Sequence, residues 1–129
     1  WVAMITFGSM YHMIPKLWDT KLYSLKLVYW HFWMATVGTL MYITAMWASG
    51  IGQGLMWRTF DDFGNLKYSF AETVAAVHPA YVMRAVGGMV FLAGVLLMVY
   101  NVYMTIRQGK REAAELDAKL AAKLARAGA

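Results

Sequence analysis

A run of 31 residues, Leu27–Trp57, contains no Lys, Arg, Asp or Glu. A helix of about 20 apolar residues crosses the roughly 30 Å hydrocarbon core of a bilayer. This run is therefore long enough to span a membrane and to reach into both interfaces. Only 15% of the 129 residues are charged and 60% are hydrophobic, whereas soluble domains contain about 25% charged residues. The run and the composition together predict a membrane protein.

Two further apolar segments flank this run. Ala85–Ile106 holds 22 uncharged residues, enough for about 33 Å of helix and hence for a second span. Trp1–Pro15 makes only about 22 Å of helix, so we expect this sequence to lack the start of the helix to which it belongs. The expected fold is an all-α membrane protein with three transmembrane helices, the first incomplete, over about 1–16, 27–57 and 79–107.

The segment between the second and third spans has a helix-start pattern of its own. Ser69 and Glu72 are spaced as a capping box, in which each side chain bonds the backbone amide of the other residue. This predicts a short interfacial helix over about 69–77. Pro79 suits the first turn of the third span, where its missing N–H leaves no bond unmade.

The last residues, 108–129, alternate charged residues with Ala. Within them Leu116, Leu120 and Leu124 recur every four residues, which is helical spacing. The pattern predicts a helix with one apolar stripe that lies on the membrane or on a partner. The alternative is a frayed helix in water.

Charge at the ends of the apolar segments predicts the topology. The first loop has three Lys and one Asp, and residues 107–129 have six basic and three acidic side chains. The loop over 58–72 has two basic and three acidic side chains. Because cytoplasmic loops carry the excess of Lys and Arg, residues 1–107 form the membrane part and 108–129 a cytoplasmic basic tail. The basic residues do not cover a soluble face, so no nucleic-acid partner is expected.

Metal ligands are scarce in this sequence. It has no Cys, which excludes thiolate sites, and its three His residues lie near the ends of predicted spans. By the predicted topology His78 lies about a membrane thickness from His12 and His31, so the three are not expected to share a metal. We interpret each as an interfacial or hydrogen-bonded side chain.

The stretch GIGQGLMWRTFDDFG contains the candidate binding residues. Arg58 follows the long apolar run directly, beside Trp57 and about one helical turn after Gln53. The guanidinium presents a rigid fork of donors that suits carboxylates. The residues alone leave two readings open, of which position favours the first: an Arg that reaches the interface and pairs with Asp61 or Asp62, or a clamp for a bound anion.

Several stretches resemble one known family. WVAMITFGSMYHMIPKLW, WHFW, ASGIGQGLMWR and YSFAETVAAVHPAYVMRAVGG resemble the C-terminal end of the catalytic subunit of cbb3-type cytochrome c oxidases, in the C branch of the heme–copper oxidases. The resemblance covers about residues 1–107 and implies the last three helices of a twelve-helix bundle. It implies low-spin heme b, high-spin heme b3 and copper in the complete subunit. It places the axial His pair a few residues before the position that matches Trp1, in the missing start of the first helix, and the copper ligands on earlier helices, so no catalytic or metal-binding residue is expected in this chain.

The same resemblance implies roles and partners. Arg58 matches the place where heme–copper oxidases bind heme propionates, with Trp57 and Gln53 as neighbours. The complete enzyme would reduce O2 to water with electrons from c-type cytochrome and translocate protons. Its partners would be the remainder of subunit I, c-type cytochrome subunits and the lipid bilayer of the bacterial inner (cytoplasmic) membrane.

Other functions remain as alternatives. They are a piece of a nitric-oxide reductase catalytic subunit, a redox-inactive membrane scaffold or assembly subunit, and a piece of a transporter. QGLMWR favours the oxidase by resemblance. The absence of charged residues inside the predicted spans counts against a transporter.

Overall fold

The computed structural model describes residues 2–127, which form three helices: α1 (Val2–Leu17), α2 (Leu25–Trp57) and α3 (Phe70–Ala127). One isolated antiparallel bridge joins Phe60 and Leu66. The all-α prediction is confirmed for this described part. Trp1 of the predicted first helix and Gly128 and Ala129 of the predicted tail lie outside it.

Helix α1 ends in a Schellman motif. The amide of Thr20 donates to the carbonyl of Pro15 at 3.0 Å, and the amide of Asp19 donates to that of Lys16 at 3.4 Å. Asp19 has a φ of 44°, the left-handed conformation that reverses the chain after a helix. The motif satisfies two carbonyls at the end of α1 and starts the loop to α2.

Two helices within the described range, α2 and α3, are long and apolar enough to cross a membrane. They contain the second and third predicted spans. The 16 residues of α1 give about 24 Å of helix, which is shorter than a bilayer core. That α1 is the incomplete first of the three transmembrane helices stays a prediction.

Helix α3 runs unbroken through the residues of the expected interfacial helix, the third span and the tail, so the expected break before Pro79 is absent. The division at residue 107 into a membrane part and a cytoplasmic tail stays a prediction. Pro79 lies inside this helix rather than in its first turn. A proline inside a helix lacks its own bond to the preceding turn, and its ring crowds the carbonyl four residues back. The turns before it are held by burial, since Thr73 is 0% and Val77 5% exposed. Past residue 107, Ala, Leu, Lys, Glu and Arg are all strong helix formers.

The predicted capping box is confirmed at the start of α3. The amide of Ser69 donates to the Glu72 carboxylate at 2.8 Å, and the amide of Glu72 donates to the Ser69 hydroxyl at 3.3 Å. These bonds satisfy amides that the first turn of a helix leaves without partners. They fix where α3 begins.

The chain divides into two compact units, the first of which contains residues 2–30 and 96–127 of the described part. A polar cluster forms its interior. The Asn101 side chain accepts from the Ser24 amide at 3.1 Å and donates to the Ser24 carbonyl at 3.0 Å. Thr105 accepts from the Tyr23 amide at 3.1 Å and donates to the Asn101 carbonyl at 2.8 Å. These buried groups join the residues before α2 to the C-terminal half of α3.

The second unit, residues 31–95, is built on close contact between α2 and α3. A Cβ added to Gly38 would lie 2.7 Å from the carbonyl oxygen of Gly87, so only glycine permits this approach. Gly94 packs nearby against Met34. In contrast, Gly50 and Gly54, which have the small-residue spacing of helix contacts, face open space.

Candidate functional site

The carboxyl end of α2 positions the three predicted binding residues. Helix α2 ends at Trp57, and the Thr59 amide donates to the Met56 carbonyl at 3.3 Å. The Thr59 hydroxyl donates to the Leu55 carbonyl at 2.9 Å. These bonds close the last turn of the helix, so the backbone of Arg58 is held between two fixed points.

A small hairpin, residues 59–67, follows Arg58. The Lys67 amide donates to the Thr59 carbonyl at 3.0 Å, and the Asp61 amide donates to the Asn65 carbonyl at 2.8 Å. Gly64 turns the chain with a φ of 80°, which glycine adopts without strain. The hairpin therefore has its own hydrogen-bonded framework.

Asp61 is engaged by this hairpin. Its Oδ1 atom accepts the amides of Phe63 at 3.0 Å and Asn65 at 2.8 Å, an arrangement typical of Asp in turns. Within residues 2–127, neither Asp61 nor Asp62 forms an ion pair with Arg58. The reading of Arg58 as the partner of these carboxylates therefore has no support in the structure.

Arg58 is exposed, as is Trp57, while Gln53 is half-buried. Gln53 and Trp57 are four residues apart on α2 and share one face. No hydrogen bond joins Gln53 to Arg58 in the described chain. The three residues thus lie at one helix end, and the donors of Arg58 are available to a bound acceptor.

The local charges also favour a cation at residue 58. The carboxyl end of a helix carries a partial negative charge that stabilises Arg, within about one turn. A bound anion at this place therefore depends on Arg58 to offset the helix end. Chemically, the arrangement can hold a carboxylate by charge-assisted hydrogen bonds.

A second arginine in the same unit, Arg84, has different contacts. Its Nη1 atom lies 3.4 Å from the sulfur of Met46, and its guanidinium carbon lies 5.2 Å from the ring centre of Tyr81. Glu72 is bonded by Ser69, whose backbone and side-chain hydrogen bonds lower the pKa of that carboxyl.

The His residues lie in different surroundings. His31 is buried, whereas His12 and His78 are exposed. Among residues 2–127, no group of three or more His, Cys, Asp or Glu side chains could hold a metal ion.

Sequence reasoning missed the buried pair Asn101 and Thr105, although an Asn inside an apolar segment is a signal that could have found it. A polar side chain at that depth needs a partner. The sequence does not show that the partner is the backbone before α2.

Comparison with known proteins gives one family. The family model described as cytochrome C and quinol oxidase polypeptide I matches residues 1–90. A cytochrome c oxidase subunit 1 homolog (bacteroid) of Bradyrhizobium diazoefficiens is 57% identical over 113 residues, which cover 87% of this chain and 21% of the relative.

Two further relatives agree with this match. A cytochrome c oxidase subunit 1 homolog of Azorhizobium caulinodans is 52% identical over 122 residues, 94% of this chain and 22% of the relative. The cbb3-type cytochrome c oxidase subunit CcoN1 of Stutzerimonas stutzeri is 48% identical over 119 residues, 92% of this chain and 25% of the relative. The chain thus spans about a fifth to a quarter of the length of the curated relatives it matches.

Proposed function

The chain belongs to the cytochrome c and quinol oxidase polypeptide I family, and on that premise we propose that it is the C-terminal three-helix part of the catalytic subunit of a cbb3-type terminal oxidase. Two observations support the finer assignment. One relative carries the cbb3-type name at 48% identity, and the stretch QGLMWR resembles that branch.

The proposed activity belongs to the complete protein. It is the reduction of O2 to water with electrons from c-type cytochrome, coupled to proton translocation across the bacterial inner membrane. When bound, low-spin heme b, heme b3 and copper supply the redox chemistry. By the resemblance, the axial and copper ligands belong to the remainder of the subunit.

The proposed role of this chain is to pack the helix bundle and to bind a heme propionate. The observation that supports this role is that Arg58 follows the fixed end of α2 and has no carboxylate partner among residues 2–127. A propionate is a carboxylate, which matches the donor geometry of a guanidinium. Trp57 and Gln53 lie beside it, where the indole adds a partly dry surface with one N–H donor and the amide adds an NH2 group.

The proposed orientation follows the charges. Arg58 and the hairpin lie on the outer side of the membrane. Helix α1 is the remaining part of the first of the three transmembrane helices. The basic tail lies in the cytoplasm. The remainder of subunit I and c-type cytochrome subunits are the proposed partners.

The test is Arg58→Ala in the complete, assembled protein. Loss of a cation beside a propionate favours the oxidised heme. The midpoint potential of the low-spin heme should therefore fall by on the order of 60 mV. For a one-electron couple this is a tenfold change in the equilibrium constant. Redox titration followed at the low-spin heme band measures it, together with heme content.

Two control variants test whether the change in potential is specific to the Arg58 guanidinium. Arg58→Lys keeps the charge without the fork and should retain part of the potential. Lys67→Ala removes another cation of the same outer loop and should leave the potential unchanged. An Arg58→Ala protein with the potential and heme content of the Lys67→Ala protein would refute the role of Arg58.

A further inference from the structure

Helix α3 continues well beyond the end of its apolar span. Arg107 is the first charged residue after the span, and the helix runs on to Ala127. Residues 96–127 belong to one compact unit. At 1.5 Å per residue, Arg126 lies about 28 Å along the helix from Arg107.

Contacts with the first loop fix the start of this extension. A Cβ added to Gly109 would lie 2.8 Å from the Cβ and 3.1 Å from the carbonyl oxygen of Trp18, so the loop backbone lies directly against the helix. The Lys110 ammonium lies 5.4 Å from the Trp18 ring centre, within range of a cation–π interaction.

A hydrogen-bonded carboxylate adds to these contacts. Glu112 accepts from the Thr20 hydroxyl at 2.8 Å and from the Gln108 amide at 2.9 Å. The bonds from Gln108 and Thr20 lower the pKa of Glu112, so the carboxylate stays charged at neutral pH. The loop therefore packs against the start of the extension and holds it at Gly109, Lys110 and Glu112.

The extension has one apolar face without a cover in the described chain. Leu116, Leu120 and Leu124, which we call the leucine stripe, are 59%, 50% and 71% exposed. Residues four apart differ by about 40° around a helix, so the three side chains form one continuous stripe. Burying a leucine fully stabilises by about 1.5–3 kcal/mol, which favours a partner on this face.

One edge of the leucine stripe is basic. At helical spacing Lys119, Lys123 and Arg126, which we call the basic edge, lie together on one side of the stripe and are exposed. None of them forms an ion pair within the described residues. Glu115, one turn before Lys119, and Asp117 are the acidic residues over 115–127, so three cations stand against two carboxylates and this stretch keeps an excess of positive charge.

The distance of the basic edge from the membrane surface argues against lipid headgroups as its binding partner. Lys119 lies about 18 Å from Arg107 along the helix axis. If the helix is tilted by 40°, Lys119 is still about 14 Å farther from the membrane than Arg107, measured along the membrane normal. Attraction to an anionic surface fades within a Debye length of about 8 Å. The basic edge is therefore beyond effective reach of the membrane surface.

A second copy of the chain also fits poorly. Two copies in one membrane extend in the same direction, and each brings three cations and two carboxylates over 115–127. Both copies therefore carry a net positive charge along this face, and the excess charges repel. The complementary surface is an apolar stripe with acidic residues along its edge.

We propose that the leucine stripe and the basic edge form a docking surface for an amphipathic helix of another protein, one whose apolar residues are flanked by Asp and Glu. The apolar stripes bury each other, and the acidic edge pairs with Lys119, Lys123 and Arg126. This proposal does not rest on the oxidase function.

The first test is photo-crosslinking in the complete protein in its native membrane. Benzoylphenylalanine replaces Leu120 in one variant and Ala122, on the opposite face of the helix, in a matched control. We expect crosslinks from residue 120 to a different polypeptide. Mass spectrometry should identify a crosslinked peptide with apolar residues at helical spacing beside Asp or Glu, and residue 122 should give none.

A charge reversal tests the electrostatic part. Lys119→Glu with Lys123→Glu should lower the crosslink yield from residue 120 by about tenfold, since two charge pairs become repulsive. Arg111→Glu reverses a charge on the opposite face and should change the yield by less than about twofold. Crosslinks to lipid, to a second copy or to the same polypeptide, a peptide without acidic residues, or equal yields at 120 and 122 would each overturn the proposal.

Discussion

Replacing Gly87 with Ala is expected to weaken the packing of α2 against α3. The added Cβ would lie 2.9 Å from the carbonyl oxygen of Gly38, 3.0 Å from the Cβ of Met41 and 3.1 Å from the amide nitrogen of Tyr42. Two of these three atoms belong to the backbone, which cannot rotate away as a side chain does. The helices must therefore move apart.

The size of the effect follows from these distances. Carbon atoms pack best at about 3.5–4.0 Å, so the contact has to open by roughly 0.5–1 Å. Forcing an extra methyl group into a packed interior costs about 1–3 kcal/mol. Ala also favours the helix over Gly by about 0.8–1.0 kcal/mol, which partly hides the cost.

A matched variant removes that ambiguity. Gly88 is the next residue of the same helix, and a Cβ there meets nothing within 4 Å. Gly88→Ala gains the same helix propensity without the collision. The difference in unfolding free energy between the two variants should therefore be about 1–3 kcal/mol, with Gly87→Ala the less stable.

Unfolding is measured on the chain in dodecyl maltoside micelles, titrated with SDS and followed by the fluorescence of its six Trp residues. The unmodified chain and both variants are compared at equal total detergent. Equal stability of the two variants, or a more stable Gly87→Ala chain, would show that the two helices do not meet at Gly38 and Gly87.

Two further predictions concern polar side chains. Asn101→Leu leaves the amide and carbonyl of Ser24 without partners and should destabilise the chain by about 2–3 kcal/mol in the same titration, whereas Asn65→Leu in the exposed hairpin should change it by less than about 1 kcal/mol. The Ser69 hydrogen bonds lower the pKa of Glu72 from its ordinary 4.5, so its stabilisation of the start of α3 is present above pH 4.5 and is lost as the pH falls through the lower, folded-state pKa. Amide hydrogen exchange over residues 70–73 should therefore accelerate relative to the core in acid, and Glu72→Gln should abolish that pH dependence; an unchanged profile in this variant would contradict it.

The sequence was most informative where one physical rule acts alone. Leu27–Trp57 has no charged residue, and α2 covers it with two more residues at its start. The capping box of Ser69 and Glu72 needs only local spacing, and both of its bonds form. Pro79 misled the prediction, because the helix there is held by the burial of Thr73 and Val77, which a local rule does not contain.

Contacts between distant segments could not be predicted from the sequence. Gly50 and Gly54 have the spacing of a helix contact, yet the closest approach uses Gly38 and Gly87. Small residues permit close packing, but which pair meets depends on how the helices cross. At the candidate site, the sequence placed Arg58 at a helix end and left its partner open. The structure shows Asp61 bonded to the hairpin backbone instead.

We propose above that this chain is part of the catalytic subunit of a heme–copper oxidase. The most direct measurement is the reduced-minus-oxidised visible spectrum of the purified assembly that contains the complete protein, with a carbon monoxide difference spectrum and copper analysis of the same sample. We expect low-spin b-type bands, a high-spin heme that binds carbon monoxide, and copper. Hemes with non-heme iron and no copper would point to the nitric-oxide reductase alternative, and an assembly without heme would refute the oxidase assignment.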